Sequence, residues 1–232
     1  MCRSGWDGRR AGEGSQPSGW SRCALSSSRH QTEGHQLPRP SKRAEVRATA
    51  ARLMREHGYD SATMDRIADE VGLNKGTLYH YYPSKSTILY ELLSDQLDAT
   101  LDLIGQVPAE GTATDRLREF LRLQVEHVST KQDELVVFFQ EIPWIGRHLP
   151  ADQVASLRER VDRYEKFTRK LLNSGIRSGE FRKLNVTMAL HTTVGVLAYV
   201  PNWFRATDRR SRTALVDELT EFVLSAVVRA GT

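Results

Sequence analysis

The chain has 232 residues, of which 39% are hydrophobic, so it can bury a substantial core and is not disordered throughout. Its net charge of +4 is unevenly placed: residues 1–44 hold eight basic and three acidic residues (+5), which leaves 25 basic and 26 acidic residues (−1) in the rest. The basic character is therefore weak evidence for nucleic-acid binding by the folded part. The longest apolar run, residues 188–200, is too short to span a bilayer, and cysteines occur only at Cys2 and Cys23. We expect a cytoplasmic protein with no cofactor and no membrane partner.

Residues 1–40 are rich in Gly, Ser, Arg, Gln and Pro and show no period of either 2 or 3.6. Such a segment cannot bury enough surface to offset its ordering entropy, so we predict that it is disordered. Two interpretations of this segment stay open. It is either a basic arm that adds phosphate contacts or enters a minor groove, or an inert extension, and we favour the second.

From residue 41 onward the apolar pattern is helical. The inner face of the first helix is predicted to consist of Val46, Ala50, Leu53, Met54 and His57. Gly58 is placed to end that helix, because glycine readily takes the left-handed conformation found after a helix C-terminus. Thr63, Asn74 and Ser84 are placed to cap three further helices, and Gly72 breaks the chain between the second and third.

Residues 107–111 form a predicted hinge or boundary, and five more helical segments follow it. Apolar residues mark these segments within 117–128, 135–142, 154–176, 185–204 and 211–227. Asn185 and Ser211 are placed to cap the last two, and Pro201 should kink or end the first of these. No alternating β pattern of useful length appears. We predict an all-α fold of about nine helices, with one domain over residues 41–101 and a second over residues 102–232.

Residues 63–82 read TMDRIADEVGLNKGTLYHYY, which predicts two short helices joined by a turn at Gly72. This is the pattern of a helix-turn-helix, whose second helix enters a DNA major groove. The residues expected to point inward and lock the two helices together are Ile67, Ala68, Val71, Leu78 and Tyr82. The outward face of the second helix then carries Lys75, Gly76, Thr77, Tyr79 and His80. Such side chains reach base edges or phosphates, and the glycine lets the backbone approach the DNA.

Residues 44–93 resemble the DNA-binding domain of the TetR family of bacterial repressors. The landmarks are Gly58-Tyr59 at the end of helix 1, Thr63-Met64 and Ile67-Ala68 in helix 2, Val71-Gly72-Leu73 in the turn, Lys75-Gly76-Thr77-Leu78-Tyr79 in helix 3 and Tyr82-Pro83-Ser84-Lys85 before helix 4. The later helices resemble the family in length and number. Tyr82 stands where the family commonly has Phe, and Asn74 where Ser is frequent, so the operator sequence is not predictable.

The resemblance implies a homodimer that binds double-stranded DNA and is released by a small hydrophobic effector. Thr63, at the N-terminus of helix 2, would bind phosphate, and so would Lys85 at the start of helix 4. The outward set named above would face the groove. Residues 45–95 nevertheless contain six basic and eight acidic residues, a net charge of −2. Affinity must then come from a few well-placed cations and helix ends, used twice by a dimer and assisted by Lys42, Arg43 and the basic arm.

The resemblance also implies a ligand chamber in the C-terminal helices and a dimer seam formed by the last two. The chamber candidates are His127, Phe138, Phe139, Trp144, Arg147, Tyr164, His191 and Tyr199. The dimer candidates are Val194, Leu197, Trp203, Leu215, Leu219, Phe222 and Val223. An ordinary intrachain core is the alternative for both sets. The stretch FFQEIPWIGRHLP, followed by RERVDRYEKF, is similar to family members that control sterol and fatty-acid breakdown and respond to acyl-CoA, so Arg147, Arg158 or Arg163 could meet a CoA phosphate.

Two other classes of function stay open. An enzyme would need catalytic signatures, but the chain has no Gly-rich phosphate loop, no paired His on one helix turn and no nucleophile elbow. His127, Glu141 and His191 lie on separate predicted helices, without the spacing of a metal site. A helical adaptor that does not bind DNA would not need the groove-facing set exposed together. Repression is inferred only from the resemblance to a family of repressors, so an activator remains an alternative.

Overall fold

The computed structural model describes residues 41–130, 132–205 and 207–229, and the predictions for residues 1–40 lie outside these ranges. The first four helices are α1 (Lys42–Ser61), α2 (Met64–Val71), α3 (Lys75–Tyr81) and α4 (Lys85–Gln106). They are followed by α5 (Ala113–Val128), α6 (Gln132–Glu141), a 3-10 turn (Ile142–Trp144), α7 (Ile145–His148), α8 (Ala151–Ser178), α9 (Val186–Trp203) and α10 (Arg209–Val227). Apart from one isolated bridge, between Phe181 and Val228, the described residues contain no β structure. The all-α prediction is confirmed.

Most helix ends lie where the capping residues predicted them. The side chains of Thr63, Asn74, Ser84 and Asn185 each accept a hydrogen bond from the backbone N–H three residues on. Ser211 was predicted to cap the last helix, and this is wrong. Asp208 caps α10 instead and accepts from the N–H of Ser211, while the Ser211 side chain interacts with the N–H of Asp208. A serine at the third helical position completes such a capping box as readily as it begins a helix, which explains the three-residue error.

Three glycines with positive φ break or end helices, two of which, Gly58 and Gly72, were predicted to do so. Gly58 has φ of 79° and turns the chain inside α1, while Gly72 (φ 70°) and Gly179 (φ 82°) are left-handed residues that end α2 and α8. Pro201 lies in the last turn of α9, which ends two residues later. One inner-face assignment is wrong, because His57 is exposed at the end of the regular part of α1.

The N-terminal helices share one apolar core with part of the C-terminal half. Buried residues of α1 to α4 pack together with Val137 of α6, Ile145 of α7 and both Val154 and Leu157 of α8. A second cluster joins α5 to α8 and α10, and a smaller third cluster includes Leu197 of α9. No helix of the described residues is both long and apolar enough to cross a membrane.

Candidate nucleic-acid interface and internal cavity

The turn between α2 and α3 is held by local backbone bonds and by a buried seam. The N–H of Leu73 donates to the carbonyl of Ala68 at 2.9 Å, and the N–H of Gly72 donates to that of Asp69 at 3.1 Å. The predicted inward residues Ile67, Ala68, Val71, Leu78 and Tyr82 are all buried. Burial of this side leaves the opposite side of α3 facing solvent.

The outward side of α3 carries the residues predicted for a groove. Lys75, Gly76, Tyr79 and His80 are exposed, and Thr77 is half-buried. A Cβ built on Gly76 would meet only Asn74 Oδ1, at 3.6 Å, which is an ordinary contact. The packing of the chain therefore does not require glycine at this position.

Lys75 forms an ion pair on this surface. Its Nζ lies 2.8 Å from Oδ1 of Asp65 in α2, and both side chains are largely exposed. The hydrogen bond that Lys75 donates to Asp65, followed by the charge of that carboxylate, raises the pKa of Lys75. The carboxylate keeps the ammonium directed along the outer surface of the helix-turn-helix. A phosphate that approached Lys75 would compete with Asp65 for the same cation.

The two predicted phosphate-binding residues have bonding partners within the chain. The hydroxyl of Thr63 accepts from the N–H of Arg66 at 3.2 Å. Lys85 Nζ donates to the carbonyl of Tyr59 at 2.6 Å and to that of Asp60 at 3.2 Å, and it lies 4.1 Å from the centre of the Tyr59 ring. Desolvation by burial lowers the pKa of Lys85. The lysine thus joins the start of α4 to the last turn of α1.

A buried polar group supports the end of α3 and was not predicted. The Tyr82 hydroxyl donates to Glu91 Oε1 at 2.9 Å, and Glu91 is also bound by Arg43 and Arg47. Arg43 lies 4.1 Å above the Tyr82 ring and donates to the carbonyl of Tyr81 at 2.7 Å. The sequence held one indication of this group, because Tyr82 stands where the resembled family commonly has Phe. A buried tyrosine hydroxyl needs a hydrogen-bond partner that Phe does not need.

Helices α4, α5, α6, α8 and α9 enclose a cavity of about 150 Å³ that opens to solvent. Its apolar lining residues are Leu97, Phe138, Phe139, Ile142, Val161, Leu190, Val194 and Leu197. Its polar lining residues are Thr100, Gln124, Tyr164, Glu165 and His191. Burial, followed by the nearby charge of Glu165, raises the pKa of Tyr164 to about 12, so its phenol stays neutral. Thr100, Gln124 and Glu165 were not predicted to line the cavity, because nothing in the sequence distinguishes them from the other polar residues of their helices.

The structure brings only half of the chamber candidates together. Phe138, Phe139, Tyr164 and His191 line the cavity. The other four are absent from its wall: His127 is half-buried on α5, Trp144 is exposed with Arg147 4.2 Å from its ring, and Tyr199 is exposed on α9. The absence of these four from the wall corrects the prediction, which depended on residue type rather than on position around a helix. Arg158 and Arg163 are exposed on α8.

The dimer candidates divide into exposed and internal residues. Trp203 and Phe222 are exposed by 55% and 66%, with Met188 and Tyr199 exposed on the same pair of helices. Leu215 and Leu219 are half-buried. Three candidates lie inside the single chain, which corrects their assignment to a seam. Val194 and Leu197 line the cavity, and Val223 is buried, because α10 turns Val216, Thr220, Val223, Leu224 and Val227 inward.

Charged contacts connect the cavity helices to the N-terminal helices. Arg47 of α1 approaches Glu134 of α6 at 4.0 Å, and Gln96 of α4 donates to Glu134 at 2.9 Å. Arg55 of α1 pairs with Asp133 of α6 at 3.1 Å. Since α6 also carries Phe138 and Phe139, and α4 carries Leu97 and Thr100, the same two helices form the cavity wall and contact α1.

Comparison with known proteins identifies relatives along most of the chain. The "Bacterial regulatory proteins, tetR family" model matches residues 46–92, and the "Tetracyclin repressor-like, C-terminal domain" model matches residues 110–227. The HTH-type transcriptional repressor KstR2 of Rhodococcus jostii is 24% identical over 190 residues, which cover 81% of this chain and 89% of that protein.

Solved structures share the fold. The ketosteroid transcriptional regulator KstR2 of Mycobacterium tuberculosis has a TM-score of 0.73 at 23% identity, over 84% of this chain and 98% of that one. The structure of AibR in complex with isovaleryl coenzyme A and operator DNA has a TM-score of 0.66 at 21% identity, over 78% of this chain and 97% of that one. The two matched family models, which together cover more than half of the chain, show that it is a transcriptional regulator of the TetR family and not an enzyme.

Proposed function

We propose that this chain is a repressor that binds a palindromic operator as a homodimer and is released by a small hydrophobic effector. The observation that carries the proposal is the outer side of α3, where Lys75, Tyr79 and His80 are exposed together while Leu78 and Tyr82 hold the helix from within. A helix presented in this way fits a major groove. A repressor of this kind acts on chromosomal DNA, so we place it in the cytoplasm.

We assign the contacts to DNA by the position of each residue. Lys75, Thr77, Tyr79 and His80 would meet base edges and adjacent phosphates, and Gly76 would allow the backbone to come close. The N-terminus of α2 at Thr63 would receive a phosphate through its free N–H groups. Lys85 would add a second phosphate contact while it keeps its bonds to the carbonyls at the end of α1.

The cavity is the proposed effector site. Its wall includes α4, which begins directly after the α3 segment, and α6, which is bonded to α1 through Glu134 and Asp133. An effector that displaced α4 or α6 would therefore move helices that hold the DNA-binding surface. Similarity to the fold that binds isovaleryl coenzyme A in AibR supports an acyl-CoA, with exposed Arg147, Arg158 and Arg163 available to its phosphates.

The proposed dimer seam is the outer face of α9 and α10. Phe222, Trp203 and Met188 expose large apolar side chains on this face, and covering such surface from water favours association. An isologous pair would bring each residue to the seam twice. We divide the chain into an N-terminal extension (1–40), a DNA-binding domain (41–101) and an effector and dimerisation domain (102–232).

Protection of DNA upstream of the gene tests this proposal. The full chain should protect a palindromic site, and acyl-CoA should abolish the protection, while unrelated hydrophobic drugs should leave it unchanged. A matched chain with Lys75, Tyr79 and His80 all replaced by Ala should lose the site and keep its helical circular dichroism spectrum. Unchanged affinity in that variant would reject the assigned surface.

A further inference from the structure

Gln124 of α5 is a buried amide with an unmade hydrogen bond. The residue is only 4% exposed, and among the described residues its Nε2 has no hydrogen-bond partner. Buried polar groups are nearly always paired, because leaving one unpaired costs the free energy of removing it from water. Gln124 also belongs to the wall of the internal cavity described above. A ligand atom in that cavity is therefore a candidate for the missing partner.

The charges around the cavity restrict what such a ligand can be. Among the residues that the structure describes, no Lys or Arg lines it, and the one lining carboxylate, Glu165, pairs with Arg169 at 3.1 Å. A free carboxylate placed beside Gln124 would lose its hydration without gaining a cation from the described cavity wall. The group that enters the cavity is therefore uncharged and offers an oxygen that accepts from Nε2.

The volume of the cavity restricts the size of that group. About 150 Å³ is available, and an apolar cavity of about this size in another protein takes up benzene. A compact, branched group with about six non-hydrogen atoms fits the space, whereas a fused-ring sterol frame or a long acyl chain does not. Since the cavity opens to solvent, the remainder of a larger ligand would extend outward.

We propose that Gln124 recognises the carbonyl oxygen of a compact, uncharged acyl group, such as the thioester of a short branched acid. The inference rests on the proposed function only in taking this cavity as the effector site. Leu97, Phe138 and Leu190 would surround the acyl chain, and Nε2 of Gln124 would donate to the carbonyl. The effector then differs from a free fatty acid in charge and from a sterol in size.

A pair of ligands that differ only in the carbonyl tests this role. Isovaleryl-CoA and its thioether analogue, S-isopentyl-CoA, are titrated into the full-length wild-type chain by calorimetry, with CoA, free isovalerate and palmitoyl-CoA as further probes. We expect the thioester to bind the wild type roughly tenfold more tightly than the thioether, the value of about one hydrogen bond, and more tightly than the other three probes. Gln124→Leu should bind the thioester and the thioether equally.

Gln153→Leu is the matched control, because Gln153 also has a buried amide atom without a partner among the described residues but does not line the cavity. It should keep the tenfold preference. Gln124→Leu should unfold at the same or a higher urea concentration than the wild type, since it removes an unpaired amide. Equal binding of both ligands by the wild type, a preference that survives in Gln124→Leu, or earlier unfolding of that variant would each overturn the inference.

Operator affinity without ligand is measured for all three proteins. If each retains the operator, a failed ligand test rejects the role of Gln124 and leaves DNA binding in place. If the wild type does not bind the operator, the proposed function fails independently of the ligand result.

Discussion

Nζ of Lys75 lies 2.8 Å from Oδ1 of Asp65, so the first cation of the proposed recognition helix is already paired within the free protein. Both residues are on the outer surface of the helix-turn-helix and both are largely exposed. The carboxylate would be repelled by the DNA backbone and would compete with it for the ammonium. Asp65 is therefore expected to limit the affinity of Lys75 for DNA.

Replacing Asp65 by Asn should strengthen operator binding. We expect a gain of roughly two- to fivefold in affinity per half-site, since an exposed ion pair contributes little, and little change in stability. Fluorescence anisotropy with a labelled operator fragment measures the change. Asp102→Asn, an equally conservative change on the exposed face of α4, should have no effect. Weaker binding by Asp65→Asn would mean that the pair positions Lys75 for the DNA rather than opposing it.

Replacing Gly76 by Ala should separate stability from DNA binding. A Cβ meets nothing closer than Asn74 Oδ1 at 3.6 Å, and alanine favours a helix, so thermal unfolding should show a gain of about 0.5–1 kcal/mol. In the complex with DNA, the added methyl group should push α3 away from the groove and weaken operator binding by roughly tenfold, or about 1.4 kcal/mol. Gly105→Ala in α4 should keep operator affinity at the wild-type value. Operator affinity in Gly76→Ala equal to that of the wild type would show that the backbone there does not approach DNA.

Replacing Lys85 by Ala should lower both the stability of the fold and the affinity for DNA. Loss of its bonds to the carbonyls of Tyr59 and Asp60, and of its contact with the Tyr59 ring, should lower the free energy of unfolding by about 1–2 kcal/mol. If the ammonium also meets a phosphate, the slope of log K against log salt should flatten by roughly one unit per half-site, about equally on all sequences. An unchanged slope with lower stability would restrict Lys85 to joining α4 and α1.

Replacing Phe222 by Asp should dissociate the proposed dimer. The ring is 66% exposed in the single chain, so the substitution leaves the fold intact, and a carboxylate at each of two symmetric positions should cost about 2 kcal/mol or more per copy. Sedimentation velocity should show a monomer, with operator affinity reduced in parallel. Trp144→Asp, which changes an exposed aromatic residue outside α9 and α10, should remain dimeric. A dimer in the Phe222 variant would place the seam elsewhere.

Lowering the pH should destabilise the N-terminus of α5, because it protonates the Glu180 carboxylate that binds there. Burial alone would raise the pKa of Glu180, but hydrogen bonds from the backbone N–H of Thr114, from Ser178 and from the N–H of Ala113 outweigh burial and lower it to about 2. A carboxylate whose pKa is lower in the folded chain stabilises the fold above its ordinary pKa of 4.5 and loses that effect as the pH falls towards 2. Urea unfolding at several pH values between 6 and 2.5 measures this loss of stability.

Glu180→Gln isolates this contribution. The variant should be less stable than the wild type near neutral pH, and the difference should shrink through the acid range. Glu110→Gln, on the exposed segment before α5, should follow the wild-type curve at every pH. A constant difference between Glu180→Gln and the wild type would show that the carboxylate charge is not what stabilises α5.

The sequence by itself determined the helices, the α2–α3 turn and the outward side of α3. A cap such as Thr63 or Asn74 bonds to an N–H only three residues away, and Gly72 ends a helix through its own φ, so these features depend on local order alone. The split of α3 into a buried and an exposed side follows from a period of 3.6 residues. Ser211 shows the limit of local patterns, because Asp208 three residues earlier has the same capping chemistry.

Only the tertiary structure decided which residues meet across helices. Lys85 bonds to carbonyls at the end of α1, and Val194 and Leu197 line a cavity instead of a dimer seam. Periodicity states which residues share a stripe of a helix, but not what packs against that stripe, and α9 has apolar residues on more than one side. Gln124 could not be singled out by type, since its unmade hydrogen bond arises only where α5 borders the cavity.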